Sequence, residues 1–592
     1  MRPVLTKWLR PCLISLACVL FPSRALIAAG GPSNPAPRPV SENLDRYDQG
    51  APISLLEAVR VTLSRSPTIL IQQTQTETSR GTLMTASGAF DTQLEGNVTH
   101  GATRQPVLTA PTPTPAPAST APIIFPVSNL TTGLPIPGVG IIIPPTTASS
   151  PAPTPSVYVQ NNSGFDVGLQ KMLYNGTEIG AQAIYTRTNE VNQGPIFNTS
   201  ELRLTVNVPV LRFFTPSDQA STERADKFNY GASLLTYRHV ISEAVLQTAQ
   251  AYWTLRAAQE QLVYLEQAEG IAISLQKLIS MLIKGDERAK SDIHEIDARV
   301  AETTADRLAG EQVVFQARQQ LGLAMGLDED GLRNPPSAGE PFPGTAGLDR
   351  ARAIQDRLTA EAIISRADYQ ASLLDEQSAR VLMAAARRDI LPPVNFQIMA
   401  SEFGGDVGSR VDDAISHSFL GRQTGVSVIG QLSFDWPLEN QVARGNYIQS
   451  KASYRQAGIQ TDDLRRNIVS GILVNVDALA VGALQLQQAQ ESASAYAEAI
   501  EAERLKYVAG ESTLIDVITI QENYTTAMLN AVQVNQQIAE AYAQLRFQSG
   551  TMFLGGGSRF TLQRDSLVSL PEVPGGIPIA RIPNFRVRLQ LP

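Results

Sequence analysis

Residues 426–437 read Val-Ser-Val-Ile-Gly-Gln-Leu-Ser-Phe-Asp-Trp-Pro, and after Pro437 no proline occurs before Pro571. Val426, Val428, Leu432, Phe434 and Trp436 alternate with Ser427, Gln431, Ser433 and Asp435. Such a strand keeps a different environment on each face. Proline within a helix costs about 3 kcal/mol or more, so the proline-free span that follows suits uninterrupted helix. The same junction occurs earlier. Leu202, Leu204, Val206, Val208 and Val210 alternate with Arg203, Thr205 and Asn207, and no proline falls between 217 and 334.

Working outward, the chain reads as one plan used twice, over residues 52–330 and 366–550. In each half a helix of roughly twenty residues leads to a strand, a long loop, a second strand and a helical hairpin. The leading strands fall at about 90–100 and 394–402: Phe90, Leu94 and Val98 alternate with Asp91, Glu95 and Asn97, and Val394, Phe396 and Ile398 with Asn395 and Gln397. The returning strands fall at about 200–211 and 424–437, and the hairpins at 216–325 and 440–548 with turns at Gly285 and Gly510. A helix from Ser217 to Lys284 would be about 100 Å long, and Ile241, Val245, Thr248, Tyr252, Leu255, Gln259 and Leu262 give it a coiled-coil seam. Ala489, Ala493, Ala495, Ala497, Ala499 and Ala502 allow close helix approach in the second hairpin.

Each strand matches the roughly 9–11 residues that a tilted strand needs to cross a bilayer. Phe213, Phe214, Phe434 and Trp436 would supply an aromatic girdle. A soluble sandwich also alternates, and the polar face suits a water-filled lumen only if the sheet closes. Between the first two strands, Phe165, Val167 and Leu169, then Asn175-Gly176, then Ile179, Ala181, Ala183 and Tyr185 read as a further hairpin. It either joins the sheet or projects outside. One chain has too few strands for a barrel with a lumen, and open edges are intolerable in lipid. The fold class is therefore a mixed α/β membrane protein, several copies pooling strands into one barrel continued by long helices.

Residues 1–29 read as a signal peptide, with Lys7 and Arg10 before the apolar run Cys12–Phe21 and small residues at Ala25 or Ala28-Ala29. That run is too short to span a bilayer, and no other segment is expected to approach the length of a membrane helix. Both cysteines, Cys12 and Cys18, fall in this leader, and Ser15-Leu16-Ala17-Cys18 loosely resembles a lipidation box. Residues 30–51 form a lead-in expected to lack fixed structure. Proline-rich 105–157 reads as exposed loop. With 48 basic and 56 acidic residues, net charge −8, no nucleic-acid partner is expected. His100, His239, His294 and His417 are scattered, and no phosphate loop, nucleophile elbow or zinc helix is present. Neither enzymatic activity nor a cofactor or metal is expected.

These pieces resemble the TolC-like outer-membrane factor family of efflux and type I secretion channels. Leu55-Leu56-Glu57-Ala58 with Ser66-Pro67 matches the family's opening pattern, and Arg366-Ala367-Asp368 its second copy, where many members have proline in the middle. Tyr507-Val508-Ala509-Gly510 followed by Leu514-Ile515-Asp516-Val517 matches the second hairpin tip. The resemblance implies a homotrimer in the outer membrane, with a twelve-stranded barrel, or eighteen if the extra hairpin enters it. It also implies a helical tunnel through the periplasm and an equatorial layer from 331–365 and 551–592. It further implies a periplasmic adaptor docking near Gly285 and Gly510, and an inner-membrane pump beyond it. A non-conducting coiled-coil strut is the alternative from another class.

The resemblance also assigns a periplasmic gate. Tyr507 falls on the latch tyrosine and Ser291-Asp292 on the polar pair it meets, with one extra residue between Gly285 and Asp292. Asp516 falls on an acidic ring, whose three carboxylates would repel one another, raise their own pKa and prefer cations. Ser512 and Thr519 stand where some members carry arginine and a second aspartate. The latch is therefore expected to lack an ion pair. Thr513 with Asp516, and Asp292 with Glu295, also have capping-box spacing, so each aspartate has a cap reading beside its gate reading.

Overall fold

The computed structural model describes residues 51–109, 124–128, 135–142, 154–190, 195–285, 289–345, 347–408, 423–553 and 565–571, together with 410, 415, 416 and 419. The expected signal peptide, lead-in residues 30–50, Cys18 and His417 lie outside the described residues.

β1 (Pro52–Ile53) leads to α1 (Leu55–Arg65) and α2 (Pro67–Gly88). Ser54 caps α1 through a capping box with Glu57, and Pro67 at N1 restarts the helix after Ser66. Next come β2 (Gln93–Thr109), β3 (Ile124–Ser128), β4 (Pro135–Ile142), β5 (Thr154–Met172), β6 (Glu178–Glu190) and β7 (Phe197–Pro209). α3 (Asp218–Lys284), capped by Ser217, and α4 (Asp292–Met325) form the first long hairpin. α5 (Glu329–Arg333), β8 (Ser337–Ala338), α6 (Gln355–Ser365) and α7 (Ala367–Arg388) precede β9 (Val394–Val407) and β10 (Gln423–Phe434). The second hairpin is α8 (Gln441–Ala509) with α9 (Leu514–Gln548), followed by the short α10 (Asp565–Val568). The long helices have 67 and 69 residues and their returns 34 and 35.

The main sheet is six-stranded and wholly antiparallel, in the order β10-β9-β7-β6-β5-β2. Register places Leu94, Leu169, Ala181, Leu204, Ala400 and Val428 side by side, an apolar row across the whole sheet. The next row is Glu95, Gly168, Gln182, Arg203, Ser401 and Ser427. Large apolar side chains such as Leu94, Val98, Val426 and Val428 are exposed, as lipid-facing residues would be in a single copy.

Three expectations change. β2 starts at Gln93; Phe90 instead sits in a turn and stacks on Tyr174 at 4.4 Å. The expected loop 105–157 is strand at both ends, with Pro106 opposite Val157. β2 is an edge strand, the place in a sheet where proline's missing N–H is tolerated. Third, α8 contains an eighteen-residue window apolar and long enough to cross a membrane, only 28% of it buried. Its apolar residues divide between two faces: Ile468, Ile472, Val476 and Leu479 are buried by the chain itself, whereas Leu473, Val474 and Leu484 are exposed.

Helical cores lie beside each hairpin root. One joins Leu55, Val59, Tyr252, Trp253, Leu321 and Met325; the other joins Leu358, Ile468, Ile472, Ile538 and Tyr542. Each such buried side chain contributes about 1.5–3 kcal/mol. Tyr252 Oη donates to the Ile53 carbonyl and accepts from the Glu340 amide, both at 2.9 Å, and burial pushes its pKa up to about 12. These bonds hold the short parallel β1–β8 pair to α3. Arg546 clasps the tail by donating to the carbonyls of Ser569 and Leu570. At the strand–helix junction, Arg212 pairs with Asp389 at 2.8 Å and donates to the Leu391 carbonyl.

The return helices end alike. Gly326 (φ 72) follows α4, with the Leu327 amide bonded to the Gly322 carbonyl. Gly550 (φ 69) stands near the end of α9, with the Thr551 amide bonded to the Arg546 carbonyl. Both close their helices in the left-handed manner that favours glycine. A Cβ at Gly326 would meet the Arg65 carbonyl at 2.7 Å, and one at Gly550 the Ser365 carbon at 3.0 Å. Each glycine thus lets a hairpin root seat on the break between two preceding helices. Gly326→Ala is expected to cost at least about 1–2 kcal/mol from the left-handed backbone and to lower the thermal midpoint. Gly270→Ala, a helical site with nothing within 4 Å, should instead be neutral or stabilising by up to about 1 kcal/mol.

Candidate functional site at the hairpin tips

The two tips meet through a small core of Leu275, Ile279, Ile296, Tyr507, Leu514 and Val517. Tyr507 is fully buried there. Its hydroxyl lies 3.4 Å from Asp292 Oδ2, a long hydrogen bond that links the two hairpins of one chain. Ser291 Oγ donates to the other Asp292 oxygen at 3.3 Å. Gly510 turns the second tip in the left-handed region (φ 84), its amide bonding the Tyr507 carbonyl at 3.1 Å. Gly285 ends α3 with φ −81, so its glycine is not there for handedness.

The two aspartates separate. Thr513 and Asp516 form a full capping box: Asp516 N donates to Thr513 Oγ1 at 3.3 Å, and Thr513 N and Oγ1 donate to Asp516 Oδ2 at 3.1 and 2.6 Å. The Asp292–Glu295 box is absent. Ser291, the residue before α4, has helical dihedrals (φ −62, ψ −34) and makes no side-chain cap, whereas a capping residue needs an extended backbone. Asp292 therefore meets Tyr507 without a capping duty.

The Thr513 hydroxyl and amide hold the Asp516 carboxyl below its ordinary pKa. The rise expected for an acidic ring concerns three copies together, where repulsion between them would act against this bonding. Ser512 does not pair with Tyr507 or Asp292; its hydroxyl donates to Glu503 and lies 3.4 Å from Asp516. That bond, with Lys506 at 3.0 Å, depresses the Glu503 pKa. Thr519 bonds only its own helix, at the Ile515 carbonyl.

The latch was expected to lack an ion pair at the position of Ser512. Two turns further in, however, buried Arg299 on α4 pairs with Glu522 on α9 at 2.7 Å and with Glu302 at 2.9 Å. Beside it Gln521 donates to the Ala268 carbonyl at 3.2 Å. Sequence reasoning missed both. The i, i+3 spacing of Arg299 and Glu302 was visible, but nothing local signals a partner on another helix. Among the described residues no three His, Cys, Asp or Glu side chains group as metal ligands. The tips thus carry a packed aromatic, the long Tyr507–Asp292 hydrogen bond, the Gln521–Ala268 bond and an ion pair in which Arg299 is buried and Glu522 half exposed.

Residues 358–551 match the model of the family described as outer membrane efflux protein. The proteases secretion protein PrtF of Dickeya chrysanthemi is 21% identical over 322 residues, 53% of this chain and 66% of PrtF, just under two thirds of that relative's length. The outer membrane channel CmeC of Campylobacter jejuni superposes with a TM-score of 0.56 at 13% identity, covering 84% of this chain and 85% of that one. VceC of Vibrio cholerae gives 0.55 at 12% identity, covering 84% and 96%. The fold is shared with these solved channels: a β-sheet continued by long helical hairpins. The family match is confined to residues 358–551, while the likeness in fold extends over 84% of the chain.

Thr513→Ala should remove the cap of α9, at about 0.5–2 kcal/mol. Amide hydrogen exchange at residues 514–517 is expected to quicken several-fold with no change at the roots. Because the Asp516 pKa is depressed, its contribution is complete above the ordinary carboxylate range and is lost only as pH falls through the lowered value. Protection at 514–517 should thus stay flat between pH 6 and 8.

Proposed function

We propose that this protein is a passive exit duct of the outer membrane, formed by three copies that pool their sheets into one barrel above a tunnel of helices. It would receive substrate from an inner-membrane pump through a periplasmic adaptor docking near Gly285 and Gly510. The observation that carries this reading is the sheet: one face apolar and exposed, the other polar, with two open edges. In lipid, unpaired edge groups cost several kcal/mol each, so such a sheet needs partners. The polar rows then line water, which a non-conducting strut would not require.

Matched hairpin lengths and the paired glycines, Gly326 on the break after α1 and Gly550 on the break after α6, support an internal two-fold repeat over 52–330 and 366–550. The exposed aromatics Phe214, Phe434 and Trp436 near the strand–helix junction suit a membrane-interface girdle. A type I secretion conduit is the second reading, favoured by the likeness to PrtF.

At the tips, Tyr507 with Asp292 and Arg299 with Glu522 would hold the tunnel closed, Asp516 facing its mouth. Purified protein in planar bilayers should conduct ions; absence of any conductance removes the duct and leaves the strut. Tyr507→Phe with Asp292→Ala should raise single-channel conductance, and unchanged conductance would count against the latch. Arg299→Gln should raise it several-fold alone, because loss of about 1.4 kcal/mol shifts a closed–open equilibrium tenfold. If only Arg299→Gln opens the channel, the ion pair and not the tyrosine is the main tie.

A further inference from the structure

The β5–β6 hairpin lies within the sheet. β5 bonds to β2 on one side and β6 on the other, and β6 bonds to β5 and β7. Its side chains keep phase with the sheet: Val167, Leu169 and Ile179 continue the apolar face, and Gln170, Glu178 and Gln182 the polar one. The three apolar side chains are 39%, 51% and 39% exposed. A ribbon standing in water has no reason to hold that pattern, since contiguous exposed apolar surface marks contact with lipid or a partner.

The turn of this hairpin shows which way it points. Asn175-Gly176 sits at the helical end of the sheet, not at its far end. The Tyr174 carbonyl accepts from the amide of Ser217, the residue that caps α3, at 2.8 Å. Tyr174 also stacks on Phe90, and a Cβ at Gly176 would meet Ser217 at 3.3 Å. The ribbon thus descends through the full height of the sheet, is fastened at the strand–helix junction, and climbs back.

We infer that β5 and β6 are part of the membrane wall, so that each copy contributes six strands and three copies close an eighteen-stranded barrel rather than a twelve-stranded one. The inference rests on the three-copy duct of the preceding section. The edges fit it: β2 and β10 run in opposite directions across six antiparallel strands, so β10 of one copy meets β2 of the next in antiparallel pairing. Barrel diameter grows roughly linearly with strand number, making the wall about half as wide again. Selection by size then falls to the hairpin tips and not to the membrane crossing.

Both cysteines lie in the expected leader, so single cysteines report cleanly. Spin labels at Ala181→Cys, Gln182→Cys and Ala183→Cys in reconstituted protein test the wall. Positions 181 and 183 should be relaxed by dissolved oxygen and position 182 by a water-soluble nickel chelate. Nickel access at all three would overturn the inference by putting the hairpin outside. Electron cryomicroscopy of the same preparation should count eighteen strands around a threefold axis. Twelve strands with a threefold axis overturns the wall and keeps the duct. No threefold assembly removes the duct itself, and this inference with it.

Discussion

Lipid offers no hydrogen bonds to a backbone, and the sheet and the long helices of this chain stand differently towards that constraint. The long helices satisfy their amides internally, so 67 and 69 residues can run without a neighbour's backbone. The sheet cannot do so: among the described strands, β2 and β10 each have a neighbour on one side only, which leaves a row of edge groups to be paired. In the proposed duct the sheet would dictate how many copies assemble, and the helices would follow. α8 carries the consequence in its exposed Val442, Ile448, Ile459, Val474 and Leu484, an apolar stripe that its own chain leaves uncovered.

The hairpins are held unequally along their length. At the root, large cores, the Tyr252 and Tyr542 hydroxyls and the Gly326 and Gly550 closures bind each helix to segments distant in sequence. At the tip six residues share one small core, and the inter-hairpin polar ties are few. Motion is drawn from the least stable part of a fold, so in the proposed duct the tips are where an equilibrium between closed and open forms would be biased. Arg299 suits that role, since its guanidinium is nearly buried and pairs across helices while Glu522 remains half exposed.

Much of this was legible because the signals were periodic. Val426 to Phe434 named their strand, and the missing prolines named α3 and α8. Glycine marked both turns, although only Gly510 uses a left-handed backbone. Spacing misled where conformation decides: Asp292 and Glu295 have capping-box separation, but the helical dihedrals of Ser291 leave no cap to make. Composition misled at Pro106 and Pro155, which fit strand because β2 is an edge, and because β5 is still one before Gln160, where pairing with β6 begins. Arg299 and Glu522 stayed hidden because their meeting depends on the register of two long helices, which no local pattern sets.

Asp516 is where local and assembled chemistry pull apart. Its cap lowers its pKa, whereas three copies around an axis would raise it by mutual repulsion. With the box intact, protonation is the costlier way to relieve that repulsion, because it would weaken the charged acceptor that Thr513 bonds twice. Neutralisation then falls to cations drawn from solution. In the proposed duct such a mouth would select by charge without responding to pH near neutrality, and its cation affinity would depend on Thr513 as much as on the carboxylate.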